Sequence, residues 1–343
     1  MVKVLVVDDS VLIRQLLSEI LSSDPEIQVV GTAADPFIAR EKIKLLNPDV
    51  ITLDIEMPKM DGITFLKNLM RLRPMPVVMV STLTQAGALV TLDALEIGAV
   101  DYISKHELEG SNVASDICAK IKTAATVKVN AFDPDRFTQK SKIRAIDKDV
   151  KLSDKIIAIG ASTGGTEAIK DVLLRLPGQM SPIVITQHIP GAFSASYAQR
   201  LDRECQMNVV QATDGMKITP GYAYLAPGDR HLLFQQGPKG LVCRLGDGPL
   251  VNRHKPSVEC MFDSLRETHN GKIISIILTG MGADGAVAMK RLKDAGHTCI
   301  VQDENSSVVW GMPGAAYELG VVTETTPLLK IPDAILAALK KKP

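Results

Sequence analysis

Two rhythms of apolar and polar positions alternate along the chain. Short apolar runs at "KVLVV" (3–7), "QVVGTA" (28–33), "VITL" (50–53), "PVVMV" (76–80) and "DYIS" (101–104) predict buried strands. Between them, "VLIRQLLSEILSS" and "DGITFLKNLMRL" repeat apolar residues at helical spacing. Strands alternating with helices over residues 1–125 predict a doubly wound, five-stranded parallel sheet. From residue 126 the rhythm breaks. The stretch "TVKVNAFDPDRFTQKSKIRAIDKDVKLS" mixes charges with no sustained period and predicts a linker over 126–153. Within it Phe132, Phe137, Ile143 and Ile146 are apolar enough to pack as a short docking segment. The alternation resumes over 154–343, with strands expected at "IIAIG" (156–160), "PIVIT" (182–186), "AYLAP" (223–227), "HLLF" (231–234), "VCRL" (242–245), "IISIIL" (273–278) and "TCIVQ" (298–302). The second domain is therefore expected to be a doubly wound, mostly parallel α/β unit, with 222–247 making an antiparallel excursion.

Composition narrows the function classes. The 39 basic and 39 acidic side chains cancel, and no basic stripe or helix-turn-helix pattern stands out, which argues against a nucleic-acid partner and a transcriptional output. The five cysteines (118, 205, 243, 260 and 299) are scattered without a CxxC, so neither a disulfide framework nor a zinc knuckle is expected. No apolar run approaches the roughly 20 residues that span a bilayer, and the first residues read as a strand rather than a signal peptide. The expectation is a cytoplasmic protein with reduced thiols.

In the first half, the predicted strands end on chemistry. Asp8 and Asp9 close the first strand and Asp54 the third, Ser81 follows the fourth, and Lys105 the fifth. In a parallel doubly wound sheet those ends share one edge, where ligands bind. Any one aspartate could simply cap the helix after it. Converging carboxylates repel unless a cation lies between them, and hard oxygen ligands favour Mg²⁺ with an incoming phosphate oxygen. Asp54 could then attack a phosphoryl group, with Lys105 and Ser81 binding the transferred oxygens.

The blocks "VLVVDDS", "LDIEMPKMDG", "VVMVST" and "DYISK" resemble the signatures of a response-regulator receiver domain over residues 1–125. The resemblance implies Asp54 as phosphoacceptor, with Mg²⁺ held by Asp9, Asp54 and the Glu56 carbonyl and assisted by Asp8. It also implies Ser81 and Tyr102 as switch residues and a chemotaxis histidine kinase as phosphodonor. The chain has Lys105-His106 where the family usually has a cis Lys-Pro bond. A trans peptide is expected here, because a non-proline cis bond costs about 2.5–4 kcal/mol.

In the second half, "KIIAIGASTGGTEAIKDVLLRLP" (155–177) places Ser162 in a tight strand-to-helix turn. Such a turn either cradles a phosphate or presents a nucleophile. "GASTGG" lacks both the GxGxxG order and a GK[ST] ending, which disfavours the cradle. "PIVITQH" ends at His188, and the glycine-rich "TGMGADG" carries Asp284. If these strands are parallel neighbours, an imidazole can take the serine proton while a carboxylate fixes its tautomer. The backbone N–H groups of Thr163 and Met281 are candidates for an oxyanion hole. Taken singly, His188 could bond a backbone carbonyl and Asp284 could cap the helix "GAVAMKRLKDAG". The order Ser, His, Asp departs from that of ordinary α/β-hydrolases. Arg253, His254, Trp310 and Met312, in two unusual loops, could line a cleft or simply pack, while His231, His254, His269 and His297 lack metal-ligand spacing.

"IGASTGGTEA", "ITQHIP", "APGDRHLL", "NRHKPSV", "LTGMGADGA" and "WGMPGAA" resemble the catalytic domain of chemotaxis protein-glutamate methylesterases, from about residue 154 onward. The resemblance implies Ser162 as nucleophile, His188 as base, Asp284 as orienting carboxylate, and Thr163 and Met281 amides in the oxyanion hole, with no cofactor in this domain. It implies chemoreceptor glutamate methyl esters as substrate, glutamine deamidation as a second activity, and membrane proximity only through the receptors. It further implies an unphosphorylated receiver that covers the catalytic edge. The rival expectation is a receiver-gated module that binds an anion or a partner without catalysis.

Overall fold

The computed structural model describes residues 1–82, 84–109, 114–129 and 154–340. The chain divides into two compact units, Met1–Gln139 and Lys140–Pro343. Most of the expected linker, 130–153 with its four apolar positions, lies outside the described residues.

The first unit runs β1 (Val2–Val7), α1 (Val11–Ser22), β2 (Ile27–Ala33), α2 (Pro36–Leu46), β3 (Val50–Asp54), α3 (Gly62–Leu72), β4 (Val77–Ser81), α4 (Gln85–Ile97), β5 (Asp101–Ser104) and α5 (Ala114–Thr126). Its five strands form one parallel sheet in the order β2-β1-β3-β4-β5. The strands β3 and β4 are buried along their whole length, as expected for a sheet covered on both faces. Helix starts are set by short polar side chains. Ser10, Asp35, Asp61 and Thr84 each accept a first-turn N–H of α1, α2, α3 and α4.

The second unit continues with β6 (Lys155–Ala161), α6 (Gly165–Leu173), β7 (Ile183–Gln187), α7 (Gly191–Glu204), β8 (Asn208–Gln211), β9 (Tyr222–Leu225), β10 (His231–Gly237), β11 (Gly240–Gly246), α8 (Val258–Thr268), β12 (Lys272–Ile277), α9 (Ala286–Asp294), β13 (Thr298–Val301), α10 (Met312–Glu318) and α11 (Ile331–Lys340). Six strands make a parallel sheet in the order β13-β12-β6-β7-β9-β8, and β10 and β11 form a separate antiparallel hairpin. The antiparallel excursion is therefore confined to 231–246. Tyr222–Leu225, expected within it, lies instead between β7 and β8 and runs parallel to both. Its last three residues are buried in succession, as suits an interior parallel strand, whereas the hairpin ends on exposed glutamines. The strand β8 has no counterpart among the expected elements. It is a four-residue edge strand with one buried residue, too short to show a period.

In both sheets the chain reverses its winding at one strand. The first unit steps from β1 outward to β2 and then back to β3. The second places β7 on one side of β6 and β12 on the other. Crevices at the carboxyl ends of these strands are where such folds bind ligands.

Candidate active site

Strand register builds the acidic pocket of the first unit. Val7 pairs with Leu53, so Asp8 and Asp54 come side by side one step further along. Asp54 pairs with Val80 and Ser81 with Ser104, which brings Ser81 and Lys105 to the same edge. The Lys105 ammonium lies 3.0 Å from Asp8 Oδ2 and 2.9 Å from Asp54 Oδ1. It reaches both across a trans Lys105–His106 bond, since among the described residues only Lys255–Pro256 is cis. Burial, and then the Asp8 charge, push the Asp54 carboxyl up to about 6 against the pull of Lys105. Asp8 is likewise raised by burial, with Lys105 opposing it.

These residues fit a divalent cation. Asp8, Asp9 and Asp54 can each bring an oxygen within 4.8 Å of the others. Asp54 Oδ2 is buried without a hydrogen-bond partner, which is costly unless a cation or a transferred group satisfies it. Glu56 follows in the loop after β3, and its carbonyl accepts no backbone hydrogen bond among the described residues. The Ser81 hydroxyl is 2.9 Å from Thr91 Oγ1 and donates to the Thr82 carbonyl at 3.2 Å. Tyr102 is buried, with the Lys120 ammonium bonded to its carbonyl at 2.9 Å and 5.3 Å from its ring centre.

Gly62 packs against the backbone of Asp54. A Cβ there would lie 2.0 Å from the Asp54 carbonyl oxygen, so the start of α3 sits against the backbone of the phosphoacceptor candidate. Gly62→Ala is expected to destabilise the first unit by about 1–3 kcal/mol, because backbone cannot yield as a side chain does. Urea unfolding checks this, and an unchanged midpoint would refute the tight contact.

The second site is built by the same logic. Ala161 pairs with Gln187, so Ser162 and His188 stand side by side one step beyond their strands, and His188 N–H donates to the Ala161 carbonyl at 3.2 Å. On the other flank, Ser162 N–H donates to the Thr279 carbonyl at 3.0 Å. Gly164, in the left-handed region with φ of 74°, turns the chain into α6. The Ser162 carbonyl accepts from Gly165 N–H at 2.7 Å and from Gln187 Nε2 at 2.8 Å. The serine backbone is thus fixed on both sides, while its hydroxyl has no hydrogen-bond partner among the described residues.

His188 Nε2 meets Asp284 Oδ2 at 2.9 Å, and its Nδ1 is buried without a hydrogen-bond partner. Asp284 is 1% exposed and lies in a cage of donors. Val258 N–H donates to Oδ2 at 2.7 Å, while Asn252 Nδ2 (2.9 Å), the Ser257 hydroxyl (2.8 Å) and Glu259 N–H (3.3 Å) reach Oδ1. Burial pushes this carboxyl up, but His188, Asn252 and Ser257 outweigh it and hold it well below the usual carboxylate range. The helix that Asp284 caps is α8, through the amides of Val258 and Glu259, whereas the following α9 has Gly285 at its N-cap and no side-chain cap. Two of the donors, Asn252 and Ser257, went unread in the sequence; "NRHKPSV" was the available signal, but no periodicity assigns it a target.

Thr163 and Met281 flank the serine. The Thr163 carbonyl accepts from Thr279 Oγ1 at 3.0 Å, and Thr279 N–H in turn donates to Gln302 Oε1 at 2.7 Å. Met281 follows Gly280, where a Cβ would lie 2.8 Å from Ser162 Cβ. The two unusual loops divide. Met312 is fully buried against Gly280, and Trp310 packs on the core, whereas His254 stacks face to face on His188, with ring centres 3.7 Å apart and planes 13° apart. His231 is a structural bolt, its Nε2 2.9 Å from the Pro249 carbonyl and its Nδ1 accepting Ser257 N–H at 3.2 Å.

The chain as a whole is similar to known proteins. Residues 157–335 match the family described as CheB methylesterase, and residues 4–113 match the response regulator receiver domain. The protein-glutamate methylesterase/protein-glutamine glutaminase of Hydrogenovibrio crunogenus is 50% identical over 375 residues, covering 99% of each chain. The second such protein of Saccharophagus degradans is 52% identical over 340 residues, covering 98% of each. Among solved structures, the CheB methylesterase catalytic domain of Thermotoga maritima is 36% identical over 54% of this chain and 99% of its own, with a TM-score of 0.52. The sequence, its two doubly wound units and these full-length relatives together place the chain in the protein-glutamate methylesterase/protein-glutamine glutaminase family, a receiver domain joined to a CheB methylesterase domain.

Proposed function

We propose that this chain is the phosphorylation-activated hydrolase of chemotactic adaptation, removing methyl esters from glutamate side chains of chemoreceptors and deamidating receptor glutamines. The observation that carries the reading is the His188–Asp284 pair, 2.9 Å apart, standing one register step beside Ser162. Asp284 holds Nε2, which leaves Nδ1 as the nitrogen that takes the serine proton. The Ser162 oxygen attacks the ester carbonyl carbon while His188 accepts its proton, and the ionised Asp284 stabilises the imidazolium. Backbone N–H groups of Thr163 and Met281 stabilise the oxyanion. Collapse expels the methoxy oxygen, which takes the imidazolium proton and leaves as methanol. Water, deprotonated by His188, then attacks the acyl-serine, and the Ser162 oxygen leaves with that proton from the imidazolium as glutamate is released. An amide substrate follows the same path with ammonia as the leaving group.

Control comes from the first unit. Asp54 accepts the phosphoryl group from a chemotaxis histidine kinase, and Lys105 and Ser81 bind its oxygens. Asp9, Asp54 and the Glu56 carbonyl, with Asp8, would hold Mg²⁺, which supplies positive charge for the incoming phosphoryl oxygens. To donate to a phosphoryl oxygen, the Ser81 hydroxyl must turn away from the Thr82 carbonyl, and Tyr102 moves with it. The unphosphorylated receiver restricts receptor access, and phosphorylation relieves that restriction. The protein acts on the cytoplasmic side, meeting the membrane through receptors. Among the described residues, no helix is long and apolar enough to cross it.

Methanol release from methylated receptor membranes, with and without a small phosphodonor, tests the reading. The wild type is expected to release methanol faster with the donor, and Asp54→Ala is expected to keep the basal rate but lose the stimulation. No release from the wild type, or undiminished stimulation of Asp54→Ala, would overturn it.

A further inference from the structure

A hydrogen bond to one atom of an imidazole does not fix the ring. With only Nε2 held by Asp284, the plane of His188 could still swing about that contact, carrying Nδ1 with it. The face of the ring is where the remaining restraint lies, and His254 occupies it at van der Waals distance in a nearly parallel stack.

His254 is in turn held by its backbone. Val251 N–H donates to the His254 carbonyl at 3.1 Å, and His254 N–H donates to the Val251 carbonyl at 2.9 Å, which closes a two-residue turn. The residues between them, Asn252 and Arg253, both have positive φ, 52° and 68°, as a tight hairpin turn of this hand requires. Asn252 ties the turn to the Asp284 carboxylate, and His231 pins both of its flanks through the Pro249 carbonyl and the Ser257 amide. One small turn therefore touches both the acid and the base.

We infer that His254 is a positioning residue of the esterase: its ring, presented by the 251–254 turn, fixes the plane of His188 so that Nδ1 stays aimed at the serine. The inference rests on the triad reading above. It assigns His254 no proton transfer, only a flat surface in a fixed place. Misplacing a reacting group by about 1 Å can cost on the order of 100-fold in rate, which sets the scale of the expected effect.

The test uses the full-length chain with methylated receptor membranes, comparing wild type, His254→Ala, His254→Phe and Ser162→Ala. His254→Ala is expected to lower kcat about 10- to 100-fold with KM within about twofold. His254→Phe restores a flat face and is expected to recover kcat to within about threefold of wild type. A downfield proton resonance from His188 Nε2–H should be sharp in wild type and His254→Phe and broadened in His254→Ala. Thermal unfolding of each variant normalises the rates to folded protein. Wild-type kcat in His254→Ala, a change in KM alone, or a His254→Phe as slow as the alanine variant would each overturn the positioning role. The first would leave the esterase reading intact if Ser162→Ala were inactive. A fully active Ser162→Ala would instead remove the reading on which the inference rests.

Discussion

Ser162→Ala is expected to release methanol from methylated receptors at least about 10⁴-fold more slowly than wild type, with an unchanged unfolding midpoint. The two halves of this expectation come from different atoms. Among the described residues, the hydrogen bonds of Ser162 itself are made by its main chain, to Thr279, Gly165 and Gln187. The hydroxyl has no partner among the described residues, so its removal takes nothing from the fold. Under the proposed mechanism the hydroxyl is the attacking group, so its removal leaves no nucleophile for acyl transfer. Such a loss corresponds to about 5.5 kcal/mol of barrier. The remaining turnover comes from the oxyanion donors and substrate binding alone. A variant that kept more than about one hundredth of wild-type turnover would remove Ser162 from the chemistry. It would also revive the rival reading of a receiver-gated binding module, which needs no nucleophile.

Both candidate sites were legible in the sequence for one reason: the apolar runs stop at chemistry. A strand buried on both faces reads as a nearly continuous apolar run, and the polar residues at its end lie at the sheet edge. Asp8, Asp54, Ser81, Ser162 and His188 all stand there, and strand register then pairs them without further information. What stayed hidden belongs to segments without a period. The half-buried edge strand β8 is too short to alternate, and Tyr222–Leu225 offers no signal of which neighbours it will join. Asn252 and Ser257, and whether His254 lines a cleft or simply packs, depend on where a loop lands against Asp284, a tertiary fact that local propensity does not carry. Asp284 itself illustrates the limit. Sequence adjacency suggested that it caps the helix following it. Gly285, at φ of 85°, instead separates it from α9, and a Cβ there would lie 2.4 Å from Val258 Cγ1, so the start of α8 is drawn against this turn.

That donor cage makes Asp284→Asn the most informative substitution at the triad. All five partners of the carboxylate are placed to donate: Val258 N–H, Glu259 N–H, Asn252 Nδ2, the Ser257 hydroxyl and His188 Nε2. An asparagine must turn its NH₂ toward one group of them. Turned toward Val258 and His188, it opposes an amide N–H and forces Nε2 to accept, which moves the imidazole proton to Nδ1. A protonated Nδ1 cannot take the serine proton, so kcat is expected to fall about 10³- to 10⁴-fold. Turned the other way, it opposes the Glu259 amide and keeps only the Val258 part of the cap on α8, and His188 still faces no negative charge when the imidazolium forms. The fold should weaken by about 2 kcal/mol or more, since hydrogen bonds to an ionised group are lost. The pH dependence has a definite sign. The folded carboxyl lies below its ordinary value of 3.8, so its stabilisation is fully present above that value and is lost as pH falls through the folded pKa. The stability gap between wild type and Asp284→Asn should therefore be constant near neutrality and close on acidification below about pH 4. Unfolding midpoints across that range measure it, alongside methanol release at pH 7. A gap that widened with acid would show that the carboxylate does not stay ionised in the fold, and a rate within tenfold of wild type would show that it does not set the tautomer of His188.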